Sequence, residues 1–492
     1  MSEHYLIIIR KIWDDLFDEL DTLEQKSNYE NLYKETVNDL VKNDKENYQT
    51  IFEALIDDYL KCVKSIAKLS PGLATGLKDF KEDITLNVYT GYTSDKSDAE
   101  RITRNTLFDV ASITKLFTSL LLLKEEEKGN ISLKKCYSDY SDKLINIDVP
   151  IIKALKFGTE IRTPGRIDEE NLNAKERILR FEKAYIHKRN TFIYSDVPYM
   201  LVLMLFGNNE IDANINYINK FYETFKSIGL ENTGYFTNPK TGGLLSISSN
   251  EEVEIFDPKA RKFEFENGFI LGHAGVTTTV NDLQKLFIKL NNGFLSNESL
   301  EKLITPIINT KYLLDDKGKP VMRKEKKVVI NRGMGVYINV GDLIKSDVAK
   351  GYSKKAFAAA GSTGTYSVFD LNNGFNATFL SNIKTTSYSK TFFTDNYEYG
   401  DKKDHLPKFY RTTLIAGTGT IRDGKLIKPD SSEMSYSRAT NNFKNEQFKI
   451  LLKLRLAKRF LIKKAQIESK DENEYHNKIK RINDVFDDER YI

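Results

Sequence analysis

The stretch from Phe108 to Gly129 constrains this chain more than any other. Phe108-Asp109-Val110-Ala111 leads into Ser112-Ile113-Thr114-Lys115-Leu116-Phe117-Thr118. An apolar run follows to Leu123, and Lys124-Glu125-Glu126-Glu127-Lys128-Gly129 closes it. Such a pattern predicts a helix that starts near Ser112, buries itself, and surfaces before Gly129, which suits a C-cap. Ser112 and Lys115 lie three apart, hence on one helical face one turn apart. The hydroxyl would sit at the positive end of the helix dipole. An amine within reach could take its proton if burial lowered the amine pKa. The pair therefore reads as an activated serine nucleophile. The spacing alone is common: it recurs at Ser65/Lys68, Ser132/Lys135, Ser299/Lys302, Ser381/Lys384 and Ser387/Lys390. Only at Ser112 does it open a long apolar helix.

A chain of 492 residues can bury a large core, so one catalytic domain with extensions is expected. Its net charge of +4 gives no bias toward nucleic acid. The two cysteines, Cys62 and Cys136, are far apart, and the five histidines form no His-x-x-x-His pair, so neither a metal nor a cofactor is expected. The apolar core near the N-terminus, Tyr5 to Ile9, is too short for a signal peptide. No apolar stretch is long enough for a transmembrane helix. These features together lead to a cytoplasmic expectation.

Residues 1–50 read as a helical extension, with Trp13, Leu16, Phe17, Leu20 and Leu23 at helical spacing. A domain over 51–430 follows. It begins with an amphipathic helix from Phe52 to Leu69, and then strand, turn and strand bring the chain to Ser112. After Gly129 a loop-rich stretch runs to about residue 190. Tyr194-Ser195-Asp196 precedes a second apolar helix from near Pro198, which Ser195 or Asp196 can cap. Tyr217 to Ile228 and Val280 to Asn291 read as helices, and Arg332 to Asn382 as antiparallel strands. Residues 431–492 form a basic, helical extension. Its segment 443–464 is rich in Lys, Arg and Leu without one clean basic face. It reads as a helix packed on the domain, with contact to a partner or a membrane surface as the alternative.

Taken in order, Pro71-Gly72-Leu73-Ala74, Phe108 to Thr118, Tyr194-Ser195-Asp196, Ile228 to Thr233, Gly272-His273-Ala274-Gly275 and Gly361-Ser362-Thr363-Gly364-Thr365 resemble the serine β-lactamase / penicillin-binding-protein superfamily. The similarity is greatest to its class C-like esterase and D-aminopeptidase branch. The resemblance covers about residues 55–400. It implies an α+β fold of the β-lactamase/transpeptidase type, with an antiparallel sheet flanked by helices beside an all-helical subdomain. It implies Ser112 as nucleophile, Lys115 as its base and Tyr194 as second base and proton shuttle. Asp196, where many members carry Asn, would bond Lys115 or the substrate. The backbone N–H groups of Ser112 and Ser362 would hold the oxyanion, and Gly361 would let its strand approach the substrate. Ala359-Ala360-Gly361 stands where members usually carry Lys-Thr-Gly or His-Thr-Gly. Lys156-Phe157-Gly158-Thr159 stands near the usual His-Thr-Ser-Gly. The glycines around His273 favour a turn role over a catalytic one.

The expected function is that of a serine hydrolase forming an acyl-enzyme on Ser112 with a small ester or amide, without a strict carboxylate requirement. One alternative is a catalytically impaired binding or scaffold protein of the same fold. Another is a true β-lactamase or DD-peptidase. No nucleic-acid partner is expected.

Overall fold

The computed structural model describes residues 1–20, 26–67, 70, 72–93, 99–165, 174–207, 210–235, 271–323, 325–338, 351–361, 363–382, 420–422, 425–427 and 436–492. The fold is α+β. The chain divides into two compact units, one of Met1–Arg104, Ala349–Ala356 and Ser367–Ile492, the other of Asn105–Val348 and Phe357–Tyr366. Leu23 of the N-terminal pattern lies outside the described residues.

In the first unit the central strand is Gly72–Asp79. It pairs antiparallel with Ile84–Gly91, Thr75 opposite Val88, and with Phe375–Ser381, Gly76 opposite Thr378. The C-terminal strand Asp487–Tyr491 adds in parallel to Ile84–Gly91, Glu489 opposite Asn87. Every residue of Gly72–Asp79 and Phe375–Ser381 is buried.

The helix Tyr436–Glu468 contacts both of these strands and the helices Glu3–Glu19, Lys26–Lys42 and Tyr48–Ala67. Residues 443–464 are therefore not a surface open to a partner or membrane. Phe443, Phe448, Leu451, Leu452, Leu454, Leu456, Phe460 and Leu461 are buried, and so are Lys453, Arg455 and Lys458. A helix enclosed on most sides shows no single apolar stripe, which is why its wheel has no clean basic face. Its cations have internal partners. Arg455 donates Nε and Nη2 to the Asp79 carboxylate at 2.5 and 2.6 Å, and Nη2 also to the Asn373 carbonyl at 2.9 Å. Arg459 pairs with Glu19 and Glu82, and Lys464 with Asp44. Phe448 meets Tyr29, Tyr352 and Phe375, and Tyr59 stacks on Phe443.

The second unit is mainly helical. The predicted nucleophile helix is a 3-10 turn, Ala111–Ile113, followed by the α-helix Thr114–Glu127, buried without a break from Thr114 to Leu123. Gly129 ends it at φ +76°, the left-handed geometry of a glycine C-cap. Glu210–Lys226 and Asn297–Ile304 contact it, and Val280–Asn291 belongs to the same unit. Two expectations are revised. The stretch before residue 190 is not simply loop: Thr159–Arg162 pairs with Tyr185–Arg189. The apolar run after Pro198 is one short α-helix, Val197–Leu201, running into the 3-10 turn Val202–Leu205. No helix among the described residues is long and apolar enough to cross a membrane.

Arg455 and Asp79 are both fully buried. Replacing Arg455 by Ala leaves the carboxylate without its cation and is expected to destabilise the protein by about 3–5 kcal/mol. Joint replacement, Arg455→Met with Asp79→Leu, should recover most of that loss, since no charge is then stranded. Denaturant unfolding of the three proteins checks this. Equal stability of wild type and R455A would show the pair to be idle.

Candidate active site

The site is built by a strained turn. Phe108–Asp109 pairs antiparallel with Thr277–Thr278, and the Val110 N–H donates to the Val276 carbonyl. Ala111 then takes φ +43°, a region a side chain enters at a cost. Its N–H is held by the Asp109 carboxylate at 2.7 Å. This twist delivers Ser112 to a half-open position while Ala111 and Ile113 stay buried.

The strand Phe357–Gly361 backs this turn. A Cβ on Gly361 would lie 2.2 Å from the Val110 carbonyl oxygen, so only glycine permits the approach. Thr363 Oγ1 donates to the Asp109 carbonyl at 2.7 Å and Thr365 Oγ1 to the Val110 carbonyl at 3.3 Å. Ala359 and Ala360 add no polar side chain. Ser362 lies outside the described residues.

Ser112, Lys115, Tyr194 and Asp196 come together. Ser112 Oγ accepts hydrogen bonds from Lys115 Nζ and from Tyr194 Oη, each at 2.9 Å. Lys115 is fully buried, and Nζ also reaches Asp196 Oδ1 at 2.9 Å and the His273 carbonyl at 2.9 Å. All three N–H groups of an ammonium are thus used. Burial, the largest single influence, pulls the Lys115 pKa down. The Asp196 carboxylate and Tyr194 outweigh it, so the net shift is upward. The expected lowering of this amine by burial is therefore corrected. The ion pair turns Lys115 into a held ammonium. Asp196 stands at the N-cap position of Val197–Leu201, yet its side chain makes no cap bond; Ser195 Oγ accepts from the Val197 N–H instead. His273, buried in its turn, meets Lys115 through its main chain.

The sequence reading missed two residues around Tyr194. Phe157 is fully buried at φ +63°, strained for a bulky side chain. Its ring centroid lies 5.1 Å from that of Tyr194, and its carbonyl accepts the Ile193 N–H at 3.1 Å. Arg332 places its guanidinium 4.3 Å from the Tyr194 ring centroid and 3.7 Å from that of Tyr337. Neither carries a local signal: ring contacts between residues 37 and 138 positions apart are invisible in a single chain.

The Beta-lactamase family model matches residues 81–152. A Salmonella gallinarum protein named for D-alanyl-D-alanine carboxypeptidase activity is 22% identical over 313 residues, covering 56% of this chain and 68% of its own. Among solved structures, a penicillin-binding protein from Bacillus halodurans is similar at TM-score 0.45 and 16% identity, covering 65% of this chain and 94% of its own. EstCE1, a hydrolase with promiscuous acyltransferase activity, is similar at TM-score 0.46 and 14% identity, with 66% and 93% covered. The relatives found are hydrolases. The chain is thus similar to the Beta-lactamase family over residues 81–152, and to a protein named for D-alanyl-D-alanine carboxypeptidase activity over a longer stretch.

Proposed function

We propose that the protein is a serine hydrolase that forms an acyl-enzyme on Ser112 with a small ester or amide. The observation that carries this reading is the pair of 2.9 Å hydrogen bonds converging on Ser112 Oγ. Such a hydroxyl, half-exposed and flanked by a proton-transfer group and a cation, is the arrangement acyl transfer needs.

In this reading the labour is divided differently from the expectation above. Lys115 has no lone pair to offer while it donates three bonds. Tyr194 is then the acceptor in reach, once it has released the proton that it donates to Ser112 Oγ in the resting site. Ser112 Oγ attacks the carbonyl carbon as its proton passes to Tyr194 Oη. The tetrahedral oxyanion is held by the N–H of Ser112 and, in this proposal, by that of Ser362. Collapse breaks the C–O or C–N bond, and the leaving group takes the proton from Tyr194. Water then attacks the acyl carbon, giving one proton to Tyr194, which returns it to Ser112 as the acid leaves. The ammonium of Lys115 fixes Ser112 Oγ and offsets the negative charge that develops beside it. The esterase or peptidase branch fits this site better than a β-lactamase, because Ala359 and Ala360 bring no polar side chain to the strand. The boundaries 1–50, 51–430 and 431–492 are proposed to separate a hydrolase domain from two additions. The contact between Glu3–Glu19 and Tyr436–Glu468 supports treating the additions as mutually burying.

Intact-mass labelling with a fluorophosphonate and, separately, a penicillin tests the proposal. One adduct with the fluorophosphonate is expected on the wild type and none on Ser112→Ala. A folded wild type that takes neither probe would favour the impaired binding-protein reading.

The ion pair also sets a pH dependence. Asp196 raises the Lys115 pKa, so the ammonium persists through and above the ordinary lysine range and is lost only as pH rises further. In Asp196→Asn the downward pull of burial is unopposed by that carboxylate, and the alkaline fall in labelling rate should move to lower pH. A pH–rate profile of Ser112 labelling measures it; an unmoved limb, or one moved upward, would contradict the assigned pairing.

A further inference from the structure

Residues 311–327, in the second unit, carry a one-sided charge. They hold seven cations against three acids, an excess equal to the +4 of the whole chain. The segment folds into a small flap of three extended passes whose main chains lock together. The Leu313 N–H donates to the Val328 carbonyl at 2.9 Å, the Val328 N–H to the Val321 carbonyl at 2.9 Å, and the Val321 N–H to the Leu313 carbonyl at 2.8 Å. Leu313 and Val328 are buried. The Asp315 carboxylate closes the first turn by accepting the N–H groups of Lys317 and Lys319.

Side chains alternate along an extended pass, so the neighbours of the buried residues face outward. Those neighbours include Leu314 and Lys327. Leu314 is 41% exposed and Met322 56% exposed, and Met322 stands directly opposite Lys327. Lys327 Nζ lies 5.0 Å and Lys311 Nζ 5.9 Å from the Tyr312 ring centroid. Arg323 stands directly opposite Lys326, a like-charge pair that repels. Among the described residues none of Lys311, Lys317, Lys319, Arg323, Lys326 and Lys327 forms an ion pair, whereas Lys302 shortly before them pairs with Glu126 and Glu298.

Repelling cations with exposed apolar side chains set among them narrow the choice of partner. An acidic polymer would answer the charges and leave Leu314 and Met322 in water. An anionic lipid surface answers both: headgroup phosphates take the ammonium groups, and the apolar side chains enter the boundary beneath them. Arg323 Nη2 donates to the Phe192 carbonyl at 3.4 Å, two residues before Tyr194, so the flap adjoins the candidate site.

We infer that the flap 311–327 docks this protein on membranes that carry anionic lipid, with Leu314 and Met322 entering the interface and the lysines on the headgroups. It supplies the surface contact that the buried helix over 443–464 cannot make. The inference rests on the flap and not on the hydrolase reading, since binding requires no reaction at Ser112.

The test is cosedimentation of the full chain with vesicles of phosphatidylcholine alone, and with vesicles of equal parts phosphatidylcholine and phosphatidylglycerol. Wild type should bind only the anionic vesicles, less as salt rises. Lys326→Gln with Lys327→Gln should weaken binding roughly thirtyfold, the usual effect of two cations near an anionic surface. Leu314→Ser with Met322→Ser, which leaves the charge unchanged, should weaken it roughly tenfold or more. All four positions are exposed, so each double variant should unfold at the wild-type midpoint; where one does not, the single substitution Lys326→Gln or Met322→Ser is read in its place. No binding of wild type to the anionic vesicles, or equal binding to both kinds, overturns the inference. So does binding unchanged by the lysine substitutions. Binding unchanged by the Leu314 and Met322 substitutions, with polyglutamate held as well as the vesicles, overturns it in favour of an acidic polymer.

Discussion

The second unit is arranged around one buried charge. An ammonium at the position of Lys115 is costly unless its three protons are accepted, and the surrounding structure supplies the acceptors from distant parts of the chain. The His273 carbonyl, the Asp196 carboxylate and Ser112 Oγ each lie 2.9 Å away. The turn at Gly272–Gly275, the entry to Val197–Leu201 and the 3-10 turn at Ser112 must all hold their places for that charge to be tolerated. Remove one, and the other two are left bound to a buried cation with one proton unaccepted. The chemistry proposed for Ser112 thus depends on the electrostatics that let the helix bury Lys115.

The same region stores backbone strain. Ala111 and Phe157 both adopt positive φ, and neither is a glycine. Each precedes a group that must be aimed: Ala111 sits before Ser112, and the Phe157 carbonyl receives the N–H of Ile193, next to Tyr194. Strained residues persist where their surroundings over-determine them. Here the surroundings are the Asp109 carboxylate on the Ala111 N–H and the Thr363 and Thr365 hydroxyls on the two carbonyls before it.

What could be read from the chain alone follows from range. The nucleophile helix, its Gly129 end and the helix Val280–Asn291 were legible, because periodicity and caps are local signals. Ser112, Lys115 and Tyr194 were legible as a group only through the order of several weak motifs. The length of the helix after Pro198 was not, since an unbroken apolar run carries no period to distinguish α from 3-10 geometry. The role of residues 443–464 was hidden for a related reason: a helix packed on most sides looks like a basic helix with scattered leucines. The direction of the Lys115 shift needed the 2.9 Å contact with Asp196, which no spacing reveals. Arg332 belongs to the same class, because its neighbours Tyr194 and Phe157 are remote in sequence.

Two departures from the residues usual in the superfamily that the chain resembles make sense together. A carboxylate at Asp196, in place of an amide, neutralises Lys115 and leaves that pair with no net charge toward a substrate. Alanines at 359 and 360 remove the polar side chains of the strand. Either change alone would strip the site of its attraction for an anion. Arg332 is the other cation beside Tyr194, but it lies over the rings of Tyr194 and Tyr337 rather than in the hydrogen-bond network of Lys115. Under the proposed hydrolase reading Lys115 therefore stays committed to Ser112, which it holds at 2.9 Å.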